Sequence, residues 1–391
     1  MDIREETKDK VLSIKNNNIL LEYPTSFGKS RIAIELIKNR HKKDNNILIV
    51  IPKLALISNW KDEFIKWKAK DIIKDVTFVT YMSFPKKEGA WEIVVFDEAH
   101  HLSKRCRDAL YNFNIQNSIL LSATVGRDLR AELSMIFPKL YIHHIKIKEA
   151  IEKEVLPSPK VILLPLKLDN TKKEYLIIKN RNKKDTIKVP YEKVWTVKGI
   201  KDKRIEISCT QQQYYTDMCG LIEFYKRKMH IPLFKNMYLH SCGERLRWLS
   251  DQKTTIVYEI LKRINNYRTL TFCNSILQTE VLGKYCINSK NRESLRYLDA
   301  FNAGKINHIT ACGILDEGVN LKNCKIGVYA ALNNSERMIK QRLGRLLRHK
   351  EPILIIPYYK FTRDEELVSK MCTDYDPEAI TIINNLNELE I

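Results

Sequence analysis

The chain has 391 residues, enough at about 150 residues per domain for two or three domains with sizeable cores. A hydrophobic fraction of 44% and a charged fraction of 29% exclude a largely disordered chain. The 67 Lys and Arg against 47 Asp and Glu leave a net charge of +20, which points to a polyanionic partner: nucleic acid, or an anionic membrane.

The longest apolar stretches, such as Ile47 to Ile51 and Val161 to Leu164, fall far short of the roughly 20 residues that span a bilayer. The N-terminus, MDIREETKDK, is charged throughout and has no apolar signal core, so the expectation is an intracellular protein without a membrane partner. The nine cysteines are scattered and form no CxxC pair, which argues against a disulfide framework and a structural zinc site.

In chain order, Ile19 to Leu21 lead into a turn, and Ile32, Ala33, Leu36 and Ile37 follow at helical spacing. Ile47 to Ile51 is a β-type run ending at Pro52. Trp60, Phe64 and Trp67 recur at i, i+4, i+7 and define one helix face. Val76 to Tyr81, Ile93 to Phe96 and Ser118 to Leu121 continue the strands, and strands alternating with helices predict a parallel sheet covered on both faces. The pattern breaks near Val155, at LPSPK. From Lys172 to Arg204 there are 12 Lys and Arg against 4 Asp and Glu, with Ile, Val, Tyr and Trp interleaved, which predicts a small basic β-rich insertion. Gln211 to Arg227 reads as a helix. A second alternating series is expected from about Ser241, with strands at Thr269 to Phe272, His308 to Ala311, Ile326 to Tyr329 and Ile353 to Ile356. The predicted organisation is α/β, with two similar lobes over 1–155 and 241–391 and a basic linking module over 156–240.

Three segments carry chemistry. PTSFGKS, Pro24 to Ser30, sits between a strand and a helix. Gly28 lets the backbone approach phosphates, the N–H groups at the helix start face the anion, Lys29 reaches the terminal phosphates, and the Ser30 hydroxyl can hold Mg²⁺. Tyr23 stands where the full loop pattern has a glycine. VVFDEAHH, Val94 to His101, puts Asp97 and Glu98 at the carboxyl edge of a parallel sheet, where nucleotides bind. Asp97 suits a metal and Glu98 the attacking water. In QRLGRLLR, Gln341 to Arg348, Arg345 and Arg348 are three apart and share a helix face from which they could reach a γ-phosphate.

Together these residues resemble the superfamily two helicases and translocases of DEAH type, over roughly Leu20 to Tyr359. The resemblance implies two RecA-like lobes that sandwich ATP and Mg²⁺ and grip nucleic acid across their tops. It places Thr25, Ser26, Phe27, Gly28, Lys29 and Ser30 around phosphate, with Ser30 and Asp97 on magnesium and Glu98 as the base. Asp97, Glu98, Ala99 and His100 match the DEAH box, and Ser122, Ala123 and Thr124 match the SAT motif that couples ATP state to lobe movement. Pro52 and Lys53, then Thr80 and Tyr81, match nucleic-acid contact segments; Ser122, Thr124, Asn274 and Thr310 are carried over in the same role. Asp316 to Asn320, with Gly318 toward the nucleotide, matches the fifth motif, and Gln341, Gly344, Arg345 and Arg348 the sixth. Ser26 replaces a glycine usual in the family, and no glutamine motif for adenine precedes the loop; Arg4 and Thr7 are the nearest candidates.

PKLALISNWKDEFIKW is similar to the segment in chromatin-remodelling-type motors and phage repair helicases, and QRLGRLLR to that of the DNA-repair and transcription-factor group. The partner expected is therefore duplex or branched DNA. The alternatives left open are the motor subunit of a restriction or defence system, an RNA helicase, and a nucleotide-insensitive DNA-binding scaffold. The stretch from Lys172 to Arg204, with Tyr175, Tyr191 and Trp195, reads either as an extra DNA grip or as a small self-contained sheet.

Overall fold

The computed structural model describes residues 3–42, 46–171, 174–178, 186–190, 204–313, 321–333, 344, 346, 348–373 and 375–391. The first lobe is a six-stranded parallel sheet of β1 (Asn18–Glu22), β2 (Ile47–Ile51), β3 (Val76–Thr80), β4 (Gly89–Asp97), β5 (Phe113–Ser122) and β6 (Tyr141–His144), in the order β3-β2-β4-β5-β1-β6. The apolar runs of the first third all lie in these strands, and β6 is an edge strand the sequence pattern does not announce. Helices α1 (Ile3–Leu12), α2 (Lys29–Arg40) and α3 (Leu56–Lys66) pack in the same lobe.

Why β2 reads as an unbroken apolar run is plain from its surroundings. Ile47, Ile49 and Ile51 face the core shared with Ile32, Leu36 and Ile37 of α2, while Leu48 and Val50 face the opposite core, with Phe84 and Phe96. A strand buried on both faces has no polar side. Each such side chain contributes roughly 1.5–3 kcal/mol when fully buried. The strand order has a functional consequence: β5 lies between β1 and β4, so the segments that follow β1, β4 and β5 leave the same carboxyl edge side by side.

The second lobe is a seven-stranded parallel sheet. It contains β7 (Lys160–Leu166), β11 (Thr269–Phe272), β12 (Cys286–Ile287), β13 (His308–Ala311), β14 (Ile326–Tyr329), β15 (Ile353–Tyr359) and β16 (Ile380–Ile382), in the order β12-β13-β11-β14-β15-β7-β16. β7 lies within the 156–240 stretch of sequence, yet it pairs with β15 along its whole length, Lys160 opposite Ile353 through Leu166 opposite Tyr359. A separate three-stranded sheet holds β8 (Glu174–Ile178), β9 (Thr186–Pro190) and β10 (Arg204–Cys209), with β10 antiparallel to β8 and parallel to β9. The β-rich character expected there is present; Tyr191 and Trp195 lie outside the described residues.

β11 is the strand expected at Thr269 to Phe272, and the described residues from Ser241 up to it are largely helical. Residues 211–227 and 232–252 form two helices packed against one another. Thr210 and Gln213 close the first with a capping box, and Pro232 opens the second at a position whose N–H would be unpaired anyway. Their far end is little covered: Phe224, Leu233 and Leu239 are exposed, and the Lys228 ammonium sits 4.2 Å above the Phe224 ring. Their near end is fixed. The Lys253 Nζ donates to Asp364 Oδ2 at 2.8 Å, both side chains being buried.

One half-buried titratable group in this lobe gives a measurable pH effect. His308 Nε2 lies 3.0 Å from Thr271 Oγ1, and burial pushes the imidazole down from 6.5 to about 4. Between those two pH values the unfolded chain binds a proton here that the native state does not, so stability falls as pH falls through this window. The slope contributed is at most about 1.4 kcal/mol per pH unit. The variant His308→Gln is expected to lose less stability than wild type between pH 7 and 4.5 in urea unfolding; equal losses would show that His308 is not held neutral.

Candidate functional site

Between the lobes lies a cavity of about 640 Å³. It is lined from the first lobe by the loop Thr25 to Ser30, by Arg4, by one face of α3, and by Asp97 and Glu98; from the second lobe by Arg348. The volume is in the range of small-molecule sites.

The loop after β1 is set up to hold an anion. Gly28 has φ 107°, a left-handed conformation that glycine adopts without a Cβ penalty, and it turns the chain into α2. The N-terminus of α2, starting at Lys29, has no side-chain cap, and it faces the cavity with the positive end of the helix. Lys29 Nζ donates to the Tyr23 carbonyl at 3.1 Å, which keeps the ammonium folded over the loop. Tyr23 itself is buried, with its hydroxyl 2.9 Å from His143 Nδ1 and its ring 5.0 Å from that of Phe27. The aromatic side chain at this non-glycine position thus belongs to the core under the loop.

The acidic pair stands at the end of β4. Trp60 Nε1 donates to Asp97 Oδ2 at 2.9 Å, and the Tyr81 hydroxyl donates to the Asp97 carbonyl at 2.8 Å. Burial, then the neighbouring Glu98 carboxylate, pushes Asp97 up to about 6; the Trp60 bond and the Lys29 charge pull the other way. Glu98 has φ 53°, and its Oε2 is buried, makes no hydrogen bond among the described residues, and lies 3.4 Å from His100 Nδ1. The same His100 nitrogen lies 3.2 Å from Ser122 Oγ, so one imidazole joins the acidic segment to the Ser122–Thr124 segment.

Two carboxylates, a lysine, the Ser30 hydroxyl and the N-terminal end of α2 fit a triphosphate with a divalent cation. Oxygen donors of this kind suit Mg²⁺.

The opposite wall comes close. Gly344 has no room for a side chain: a Cβ there would sit 1.4 Å from Thr25 Oγ1. Leu346 is buried against Gly327 of β14. Arg348 Nε donates to Ser26 Oγ at 3.2 Å. Of the residues expected here, Gln341, Arg345 and Gly318 lie outside the described residues, as does the rest of Asp316 to Asn320.

Other expected contact residues are distributed unevenly. Lys53 is exposed and Pro52 half-buried at the end of β2. Thr80, Thr124 and Asn274 are half-buried, with Thr80 Oγ1 2.8 Å from Ser83 Oγ. Tyr81, Ser122 and Thr310 are buried and hydrogen-bond inside the protein, Ser122 to the Thr124 carbonyl at 2.8 Å and Thr310 to the Thr279 carbonyl at 3.0 Å.

Several lining residues were not singled out for the site from sequence. Trp60 and Phe64 form the buried helix face that the spacing predicts, but the Trp60 indole N–H reaches into the cavity. Arg31 stacks 4.3 Å from the centre of the Trp67 ring and pairs with Glu5. Arg4, by contrast a candidate from sequence for the adenine end, donates to the Val155 carbonyl at 2.9 Å and to the Ser26 carbonyl at 3.4 Å.

Two family models match the chain. The one described as type III restriction enzyme, res subunit, covers residues 2–127, and the helicase conserved C-terminal domain covers residues 252–350. A curated protein named DNA 3'-5' translocase XPB2, from Sulfurisphaera tokodaii, is 23% identical over 389 residues, covering 93% of this chain and 80% of its own length. Among solved structures, Dbp5 of S. cerevisiae bound to RNA and ADP BeF3 superposes with a TM-score of 0.61 at 12% identity, over 98% of this chain and 89% of that one. The ATP-dependent type ISP restriction-modification enzyme LlaBIII bound to DNA gives 0.59 at 10% identity, over 100% of this chain and 32% of that one. At these identities the structural likenesses bear on the fold alone: two RecA-like lobes in tandem.

Proposed function

The chain belongs to the superfamily 2 helicases, and from that premise we propose that it is an ATP-driven translocase or helicase on DNA. One observation carries this reading. A phosphate-type loop and an acidic pair from the first lobe share one cavity with Arg348 from the second. ATP that binds there is in reach of both lobes, so its hydrolysis can change how they close.

In this reading Lys29 and the N–H groups of Gly28 to Ser30 hold the phosphates, Ser30 and Asp97 hold Mg²⁺, and Glu98 accepts the proton of the attacking water. Mg²⁺, when bound, would neutralise charge on the β- and γ-phosphates. Arg348, with Arg345 and Gln341 of the same segment, would face the γ-phosphate. The lobes would span 1–155 and 241–391, with β7 tying the linking stretch 156–240 to the second of them. Assignment to the DEAH type rests on Asp97 to His100, and a duplex or branched substrate on the likeness of Pro52 to Trp67 and Gln341 to Arg348 to motors of that kind, while DNA and a 3′ to 5′ polarity are proposed from the name of the translocase relative. A role in DNA repair is proposed on the likeness of Gln341 to Arg348 to the repair and transcription-factor group.

Motors of this kind hold phosphates and leave base edges unread, and the net charge of +20 suits that. The test is ATP turnover with duplex DNA, single-stranded DNA, forked DNA and RNA in parallel. Duplex or forked DNA is expected to stimulate most, with apparent affinity falling about tenfold or more between 50 and 200 mM salt. Turnover unmoved by any nucleic acid would end this reading.

The match to the res-subunit model and the likeness to LlaBIII favour a second reading, a motor subunit whose nuclease is a separate chain. Copurification of a nuclease with the tagged chain would favour it over a stand-alone motor.

A further inference from the structure

Ser26 occupies a position where its own side chain is a disadvantage to the backbone. Its φ is 70°, in the left-handed region that glycine adopts freely and residues with a Cβ do not. What glycine could not supply is the hydroxyl, and the hydroxyl bonds twice across the cleft. It donates to the Gly344 carbonyl at 2.9 Å and accepts from Arg348 Nε at 3.2 Å. Gly344 and Arg348 are four apart, so both can face the loop while Leu346 faces its own lobe, buried against Gly327. The missing side chain of Gly344 permits this approach.

We propose that Ser26 is a positioning residue for Arg348: its hydroxyl clasps the second lobe to the phosphate loop and orients the guanidinium. Binding at Nε leaves the two terminal nitrogens, a planar fork suited to phosphate oxygens. Ser26 thus reports closure of the lobes to the loop itself, and the serine in place of glycine couples the two walls. This rests on the translocase reading above.

The experiment uses the full chain as wild type, Ser26→Ala, Ser26→Gly, Arg348→Ala and the double variant Ser26→Ala/Arg348→Ala. It measures kcat and KM for ATP with saturating duplex DNA, mant-ADP affinity, and Tm. Because the hydroxyl acts through Arg348, Ser26→Ala is expected to lower kcat about tenfold, the effect of losing one hydrogen bond to a charged group. The mant-ADP affinity should stay within about twofold, and Ser26→Ala should cost nothing further in the Arg348→Ala background. Ser26→Gly should lose kcat equally while its Tm rises, since glycine relieves the backbone; a purely structural role would move both the same way. The proposal is overturned by wild-type kcat in Ser26→Ala or Ser26→Gly, by a raised KM with kcat kept, or by additive losses in the double variant. A wild-type chain without nucleic-acid-stimulated turnover would instead overturn the translocase reading and this inference with it.

Discussion

Lys29→Ala is expected to lower nucleic-acid-stimulated ATP turnover by about 10³-fold. The ammonium is the one lysine of the phosphate loop, folded over it by its bond to the Tyr23 carbonyl. It is also a cation that opposes the upward push on Asp97. Its removal therefore weakens the site twice, by loss of charge toward the phosphates and by raising Asp97 further, which makes that carboxylate a poorer metal ligand. The fold should survive. Lys29 is only half-buried, and the bond to the Tyr23 carbonyl that the variant loses is worth about 1 kcal/mol. The check is steady-state phosphate release beside a thermal melt. Retained turnover with an unchanged melt would mean that no phosphate lies on this loop.

Glu98→Gln is expected to cut kcat by about 10²–10⁴-fold, the usual contribution of a positioned general base. The replacement keeps shape, and a glutamine meets the left-handed φ of 53° no worse than a glutamate. What changes is charge and basicity. With the carboxylate gone, the like-charge push on Asp97 disappears, so Asp97 falls from about 6 toward its ordinary range and binds a cation more readily. Nucleotide and Mg²⁺ binding should thus hold or tighten while chemistry stops. Equilibrium binding of mant-ADP with Mg²⁺, set against single-turnover hydrolysis, separates the two. Normal turnover in this variant would remove Glu98 from the reaction.

How far the sequence carried these conclusions depended on range. The strands at 47–51, 93–96 and 118–121 are legible because both faces are buried, which leaves an unbroken apolar run, and PTSFGKS and DEAH lie directly after strands. The edge strand β6 and the two-residue β12 have too little pattern to see. The helix at 232–252 has few buried residues, so it offers no apolar stripe. Within the site, spacing showed that Trp60 lies on a buried helix face but could not show that its indole N–H ends 2.9 Å from Asp97. The contact of Ser26 with Arg348 joins residues 322 apart, and no local rule reaches across that separation.

The helical hairpin also has a mechanical meaning. Its second helix, Pro232–Gln252, runs 21 residues, about 31 Å at 1.5 Å per residue, and its foot is anchored in the second lobe by Lys253 and Asp364. Such an arm works as a pointer: a lobe rotation of only ~10° would sweep its free tip through ~5 Å. A fluorophore placed near Lys235 and a partner dye on the first lobe would therefore turn each stroke of the molecule into a readable optical signal.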